Sequence, residues 1–389
     1  MPIVTGSHLY AVDLPFRTTF RHAAASRRTS ESLFLRVQLD TGVEGWGECL
    51  PRAYVSGETR EDAFSQLRDD ILPGLLGQSF ASLEDVSSFL EKCDGKAPPD
   101  WVAPEVPQSS AWSSVDLALI DAFGKASNEA IWPLATGGAN LERSRYSGVV
   151  SADRGWPFIA TLLKVRAFGF PHVKLKVGRK GTQRAARISR RILGHSVALR
   201  VDANMAWNVE EALDIIHELR AMGIEWFEQP VAAGDMVGLA RLVRESSAGI
   251  VVDEGLTDRQ TLEELISRRA ATGVNVRISK CGGLVAALAR CHEALDADLM
   301  LQVGCQVGES SLLSAAHVTL LSALAARDPG VRFAEGCFGR HLLRDDPVTP
   351  TVQFGYRGRA PSRPTGPGLG VHVDPNRLAR WVVSEAKVA

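Results

Sequence analysis

The chain contains no CxxC pair, no apolar run approaching 18 residues and no surplus of either charge. Each absence removes a class of protein. The six cysteines (Cys49, Cys93, Cys281, Cys291, Cys305 and Cys337) are scattered, and most lie inside apolar runs where a reduced thiol packs as a small hydrophobe. A reducing cytoplasm is expected. The N-terminal MPIVTGSHLYAVDLPFR lacks a basic stretch followed by an apolar one, so neither secretion nor a membrane span is expected. With 44 basic and 45 acidic residues, there is no electrostatic case for nucleic acid or a membrane surface as partner. A small, locally recognised ligand fits better.

At 389 residues the chain exceeds the roughly 250 to 300 at which one core stops growing, so a large domain plus a smaller one is expected. The segment SLFLRVQLDTGVEGWGECL, Ser32 to Leu50, alternates apolar and polar residues around a turn and reads as two strands. Helical spacing follows over Glu61 to Leu76, Ser82 to Lys92 and Ser110 to Ala126. From about Arg143 short β-branched runs alternate with amphipathic helices until eight strands have passed, the last Val331 to Glu335. Such a series closes as a barrel or opens as a doubly wound sheet. The barrel is favoured because in most of these apolar runs a charge stands at the end, where a buried parallel strand would leave the core. The expected organisation is an α+β cap over 1–128, a (β/α)7β barrel of TIM type over 129–354, and a loop-rich tail over 355–389. The tail should end in a short helix and return to the cap.

Those terminal charges keep a rhythm. Lys174 and Lys176 end HVKLKVG, Asp202 ends ALRVD, Glu228 ends IEWFE, Asp253 ends GIVVD and Lys280 ends VNVRISK. From Lys176 onward the steps are 26, 26, 25 and 27 residues, each about one strand plus one helix. At the C-terminal face of a barrel, where active sites assemble, they would converge. Three carboxylates brought together repel and lose hydration unless a cation sits between them. Hard oxygen donors without His or Cys favour Mg²⁺. Asp202, Glu228 and Asp253 are therefore the candidate ligands. Any one of these acids alone is better read as a loop residue or an N-cap; three in register are not. Strand alternation turns Glu254 to the side opposite Asp253, so Glu254 and Asn204 are read as supports of the set. Lys174 and Lys176, two apart on a strand, share a face. Lys280 would reach the metal from across the barrel, and lysines crowded by cations and shielded from water can serve as bases.

The motifs KLK, VDAN, EQP, VDE and SKCGG, in this order and spacing, resemble the enolase superfamily and within it the muconate lactonizing enzyme subgroup. The segments VEGWGEC, SSVDLALIDAFGKA, LATGG and PTGPGLGV resemble landmarks of that family outside the site. The resemblance implies a capped (β/α)7β barrel and a divalent metal, Mg²⁺ or Mn²⁺ in its place, that binds a substrate carboxylate and stabilises an enediolate after α-proton abstraction. It also implies that Lys176 and Lys280 act as acid and base on opposite faces of the substrate carbon, with Lys174 supporting Lys176 and the carboxylate. Enzymes of that superfamily pair a Lys or His base with Mg²⁺. Relatives of the mandelate racemase kind carry a histidine after the seventh strand, and DLMLQVGCQVGES has none here.

Substrate choice would rest on two lid segments: FRTTFRHAAASRR, read as a loop, with Phe20 and Arg21, and PRAYVSGET around Tyr54. Glu309 stands where relatives carry an acid near the substrate, or else caps the helix that follows. Dipeptide epimerases carry Asp-x-Asp at the eighth strand, where Ala334 and Gly336 stand in this chain. The reading expected is a muconate-cycloisomerase-like isomerase. The alternatives are a racemase or epimerase of N-acyl amino acids, a dehydratase like that of o-succinylbenzoate synthesis, and a barrel that binds without turnover. A homo-oligomer is expected from the resemblance alone.

Overall fold

The fold is described from a computed structural model for residues 1–22, 25–131, 141, 144–152, 155–325, 327 and 330–389, with the side chains of residues 20–26 excluded. The LATGG segment lies outside the described residues. A four-stranded antiparallel sheet in the order β14-β1-β2-β3 forms the cap, from β1 (Val4–His22), β2 (Ala25–Leu39), β3 (Glu44–Cys49) and β14 (Val382–Val388). The short helices α1 (Ala53–Ser56), α2 (Arg60–Gln66) and α3 (Leu72–Leu75) follow, then α4 (Leu83–Cys93) and the long α5 (Ser109–Ala126). Helix α5 is buried from Ser109 to Gly124, which explains why apolar and small residues surround it on all sides. Strand β3 lies directly on it. A Cβ at Gly45 or Gly47 would run into the α5 backbone at Ala118 and Ser114, so VEGWGEC carries glycine where strand and helix meet backbone to backbone.

Two expectations are corrected here. The described residues of FRTTFRHAAASRR are not a loop: after a register shift beyond Pro15, β1 and β2 pair again, with Phe20 opposite Arg27 and Arg21 opposite Ser26. The tail does not end in a helix. After α13 (Pro375–Leu378) it runs as β14 beside β1, Ser7 pairing with Val388 and Tyr10 with Glu385. The Glu, Ala and Lys of that segment favour helix intrinsically, and pairing to an open sheet edge overrides them.

Eight parallel strands follow in unbroken order: β4 (Gly148–Ser151), β5 (His172–Lys176), β6 (Ala198–Asp202), β7 (Trp226–Glu228), β8 (Gly249–Val252), β9 (Gly273–Val276), β10 (Met300–Val303) and β11 (Val331–Ala334). Between them run α6 (Trp156–Phe168), α7 (Thr182–Leu193), α8 (Val209–Arg220), α9 (Met236–Ser246), α10 (Arg259–Ser267), α11 (Leu284–Asp296) and α12 (Ser311–Leu324). The sheet curls until Tyr146 bridges Ala334, and Ser147 N donates to Ala334 O at 2.9 Å. This closes a (β/α)7β barrel. Side-chain caps start the helices where the sequence supplies them: Asn208 with Glu211 before α8 and Asp258 with Thr261 before α10 form reciprocal capping boxes. The remaining pair, β12 (Val348–Thr349) and β13 (His372–Val373), belongs to the tail. Among the described residues no helix is long and apolar enough to cross a membrane.

Candidate active site

The strand-end residues assemble at one rim. Register places Lys176 beside Asp202 and Asp202 beside Glu228, on β5, β6 and β7 in turn. Asp253 follows the last residue of β8. Lys280 lies four residues beyond β9, in the turn before α11. Strands β5 and β9 are four apart in a ring of eight, so Lys176 and Lys280 approach from opposite sides. All three acids are buried, as are Lys174 and Lys280, while the Lys176 side chain keeps 14 % of its exposure.

Lys174 is ringed by acids: Glu335 at 2.6 Å, Glu228 at 3.0 Å and Asp202 at 3.4 Å. Burial alone would pull its ammonium down, but these carboxylates outweigh burial and leave its pKa raised. It is a fixed cation. Lys176 Nζ stands 3.1 Å from Asp202 Oδ2 and donates to Asn204 Oδ1 at 3.3 Å. Lys280 Nζ donates to Asp253 O at 2.6 Å, Asp253 Oδ1 at 3.0 Å and Asn275 O at 2.8 Å. Burial pulls Lys280 down to about 7, with Arg277 adding to the effect.

Glu228 accepts from Lys174, from Asn275 Nδ2 at 3.1 Å and from Gln302 Nε2 at 3.0 Å. Burial would raise its pKa; Lys174 reverses the sign and holds it below its ordinary value. Asp253 pairs with Lys280 and Arg277, and its backbone N donates to Gln229 Oε1 at 2.9 Å. Among the described residues the buried Oδ2 atoms of Asp202 and Asp253 face cations, Lys174 and Lys176 at Asp202 and Arg277 at Asp253. These carboxylates are held by positive charge, the requirement that a hard cation also meets. As arranged, with Lys174, Lys176 and Arg277 standing among the acids, no three metal-ligating side chains among the described residues are gathered closely enough to share an ion.

Two expectations about the rim need adjusting. Glu254 does not turn away: β8 has ended, its Oε1 accepts from Asn204 Nδ2 at 3.1 Å, and its buried Oε2 lacks a partner. Burial raises its pKa, and the neighbouring Asp202 raises it further. Glu309 does not cap α12, since Ser310 does; the Glu309 carboxylate instead accepts from Gln306 N at 2.6 Å and is pushed by burial up to about 8. Tyr54 is on α1 at the surface, 37 % exposed, while the Phe20 and Arg21 side chains lie outside the described residues.

Residues not anticipated complete the network. Glu335 ends the eighth apolar run as the other acids end theirs, and it joins Lys174 to Arg200. Arg200 is wholly buried, stacks 4.3 Å from the centroid of Phe333 and donates to Ser147 Oγ at 3.0 Å. Burial would raise Glu335, but Lys174 and Arg200 hold it low. The strand-end rule could have found Glu335. Arg200 lies two residues before Asp202 on the same strand face, which is a weaker signal.

The sequence matches the model of the mandelate racemase / muconate lactonizing enzyme N-terminal domain over residues 7–135 and that of the enolase C-terminal domain-like family over 158–377. It is 30% identical over 389 residues to an N-succinyl-L-Arg/Lys racemase of Bacillus cereus, covering 98% of each chain. The crystal structure of the B. cereus N-succinyl Arg/Lys racemase superposes with a TM-score of 0.87 at 26% identity over all of both chains. A chloromuconate cycloisomerase of Cupriavidus pinatubonensis is 27% identical, covering 95% of this chain and 96% of its own. A dipeptide epimerase from Cytophaga hutchinsonii, solved with Mg and D-Ala-L-Val, shares the fold with a TM-score of 0.84 at 22% identity over all of both chains. With both domain models matched across most of its length, the chain belongs to the mandelate racemase / muconate lactonizing enzyme family of the enolase superfamily.

Proposed function

We propose that this enzyme, an isomerase of the enolase superfamily, inverts the α-carbon of an N-acylated amino acid by a two-base reaction. The observation that carries the reading is the opposition of Lys176 and Lys280 across the rim, with Asp202, Glu228 and Asp253 on the strands between them. A carbon acid seated there can lose its proton to one lysine Nζ, the C–H electrons moving toward the adjoining carboxylate. The other lysine then returns a proton to the opposite face. Lys174, fixed between Glu228 and Glu335, supplies positive charge where negative charge gathers on that carboxylate. Asn204 orients Lys176, and its own amide is held by Glu254.

Mg²⁺ fits the chemistry of the donor set, three buried carboxylates that offer hard oxygens and are balanced here by lysine and arginine. Asp202, Glu228 and Asp253 would hold it. When bound, it would add a Lewis-acidic charge for the substrate carboxylate. The similarity to the B. cereus racemase supports an N-succinyl amino acid with a basic side chain as substrate.

The test is α-proton exchange of N-succinyl-L- and N-succinyl-D-arginine in D₂O with Mg²⁺, followed by NMR together with optical rotation. Exchange from both enantiomers with loss of rotation is expected. Lys176→Ala and Lys280→Ala should each silence exchange from one enantiomer. Absence of exchange from either enantiomer would sink the reading. The second reading is cycloisomerisation, supported by the C. pinatubonensis relative and by the CFGRHLL segment after the eighth strand. It predicts Mg²⁺-dependent loss of muconate absorbance.

A further inference from the structure

The turn that carries Lys280 is gripped by the cap on both sides of that residue. Ser279, wholly buried, accepts from Leu50 N at 3.0 Å and shares a hydrogen bond of 3.0 Å with Ser110 Oγ at the start of α5. Beyond Lys280, the backbone of Cys281 and Gly282 lies against Gly95. A Cβ on Gly95 would strike the Cys281 carbonyl, and one on Gly282 would strike Gly95 itself. Gly282 and Gly283 have φ of +87° and +118°, and Leu284 N then donates to Asp116 Oδ1 of α5 at 2.7 Å. Asp116 is buried and holds the first turn of α11 from outside the barrel.

The same junction anchors the segment bearing Tyr54. It leaves β3 at Leu50, whose N–H is on Ser279, and returns at Glu58, whose carboxylate accepts from Ser110 N and Ala111 N at 2.8 Å each. Leu50, Ser279, Ser110 and Glu58 thus close a ring of buried hydrogen bonds. Arg52 ties the middle of the segment to Glu31 O at 3.1 Å.

We propose that Ser279, Ser110 and Asp116 are positioning residues for Lys280. Through them the cap sets where one of the two bases stands, and the segment bearing Tyr54 shares its anchor with that base. The proposal rests on the two-base reading for its catalytic consequence and on the buried ring alone for its mechanical one. Lys176, on β5, and its neighbour Val177 bond within the barrel instead: Lys176 to Asn204 and Asp202, with Ala152 N donating to Lys176 O at 2.7 Å and Val177 N to Asp202 O at 2.9 Å. The effect should therefore fall on one face of the substrate.

The experiment is deuterium exchange into both enantiomers of N-succinylarginine by the full-length Mg²⁺ enzyme, with Ser279→Ala, Ser110→Ala, Asp116→Ala and Asp116→Asn. A misplacement of about 1 Å costs on the order of 100-fold, so Ser279→Ala should lower kcat for the enantiomer silenced by Lys280→Ala about 10- to 100-fold, with less than about threefold loss for the other. KM should change little. Asp116→Asn, which keeps an oxygen for Leu284 N, should restore most of what Asp116→Ala loses. Equal losses for both enantiomers, or none, would overturn the proposal. If Ser279→Ala does not fold, Ser110→Ala removes the hydroxyl from the cap side and is read the same way. If the wild type exchanges neither enantiomer, the racemase reading fails, and amide hydrogen exchange decides the mechanical claim. Residues 50–58 and 279–284 should then gain exchange together in Ser279→Ala or Ser110→Ala; acceleration of one segment alone overturns it.

Discussion

Glu48 offers a sharp test of the forces that dock cap on barrel. It lies on β3, wholly buried, and reaches across to the start of α12, accepting from Ser310 Oγ at 2.5 Å, Ser310 N at 3.1 Å and Leu313 N at 3.3 Å. Asp346, also buried, caps the next residue, Ser311, and Glu309 stands nearby. Burial pushes Glu48 up to about 8; the Ser310 and Leu313 donors pull the other way, and Asp346 adds to the rise. A raised carboxyl binds its proton more tightly folded than unfolded, so stability is greatest below the unfolded pKa and is lost as pH climbs toward 8. Each pH unit in that window is worth at most about 1.4 kcal/mol. Glu48→Gln keeps an acceptor for Leu313 N or Ser310 N and has no proton to lose. Its stability relative to wild type should therefore improve by about 3 kcal/mol between pH 5 and pH 8. Urea midpoints measured at half-unit steps in both proteins would show this. A flat difference, or one that widens against the variant at high pH, would mean the donors and the α12 terminus keep Glu48 ionised, and the reasoning from burial would be refuted.

Three further outcomes are expected. Glu228→Gln should abolish Mg²⁺-dependent thermal stabilisation, because it removes a proposed ligand; calorimetric titration showing unchanged Mg²⁺ affinity would contradict the ligand assignment. Arg200→Met should destabilise by about 3 to 5 kcal/mol in urea unfolding, since it removes one of the two ion-pair partners that the buried Glu335 has among the described residues; a cost below about 1 kcal/mol would show that the pair is dispensable. His317, buried on α12, has both ring nitrogens without partners and a pKa lowered by burial to about 4. Replacing it by Leu should cost nothing or gain about 1 kcal/mol, and a loss above about 2 kcal/mol would reveal a polar partner at that site.

The rim was legible in sequence because a parallel strand buried on both faces tolerates charge only where it emerges, and that rule located Lys174, Lys176, Asp202, Glu228 and Asp253 without further help. The rule breaks down inside the barrel. Arg200, Asn275 and Gln302 sit within strands, and each is tolerated only because a partner arrives from elsewhere: Arg200 meets Glu335, while Asn275 and Gln302 both meet Glu228. No local pattern announces such pairings, since their separations of 135, 47 and 74 residues are set by barrel closure. The pairing of residues 20–22 with 25–27 was missed for a related reason: their Arg, His, Ala and Ser residues carry little strand signal, and the pairing itself supplies the order.

The same contrast separates the two lysines proposed as bases. Lys176 owes its place to the strand that bears it and to its neighbour Asp202 in register, both visible in the spacing of charges. Lys280 lies beyond its strand, and its turn is fixed by Ser110, Gly95 and Asp116, residues 164 to 185 positions earlier in the chain. A barrel excised from its cap would therefore keep one base in position and lose the other. Divergence in the cap can in this way alter the proton chemistry on one face of a substrate without any change at the lysines themselves.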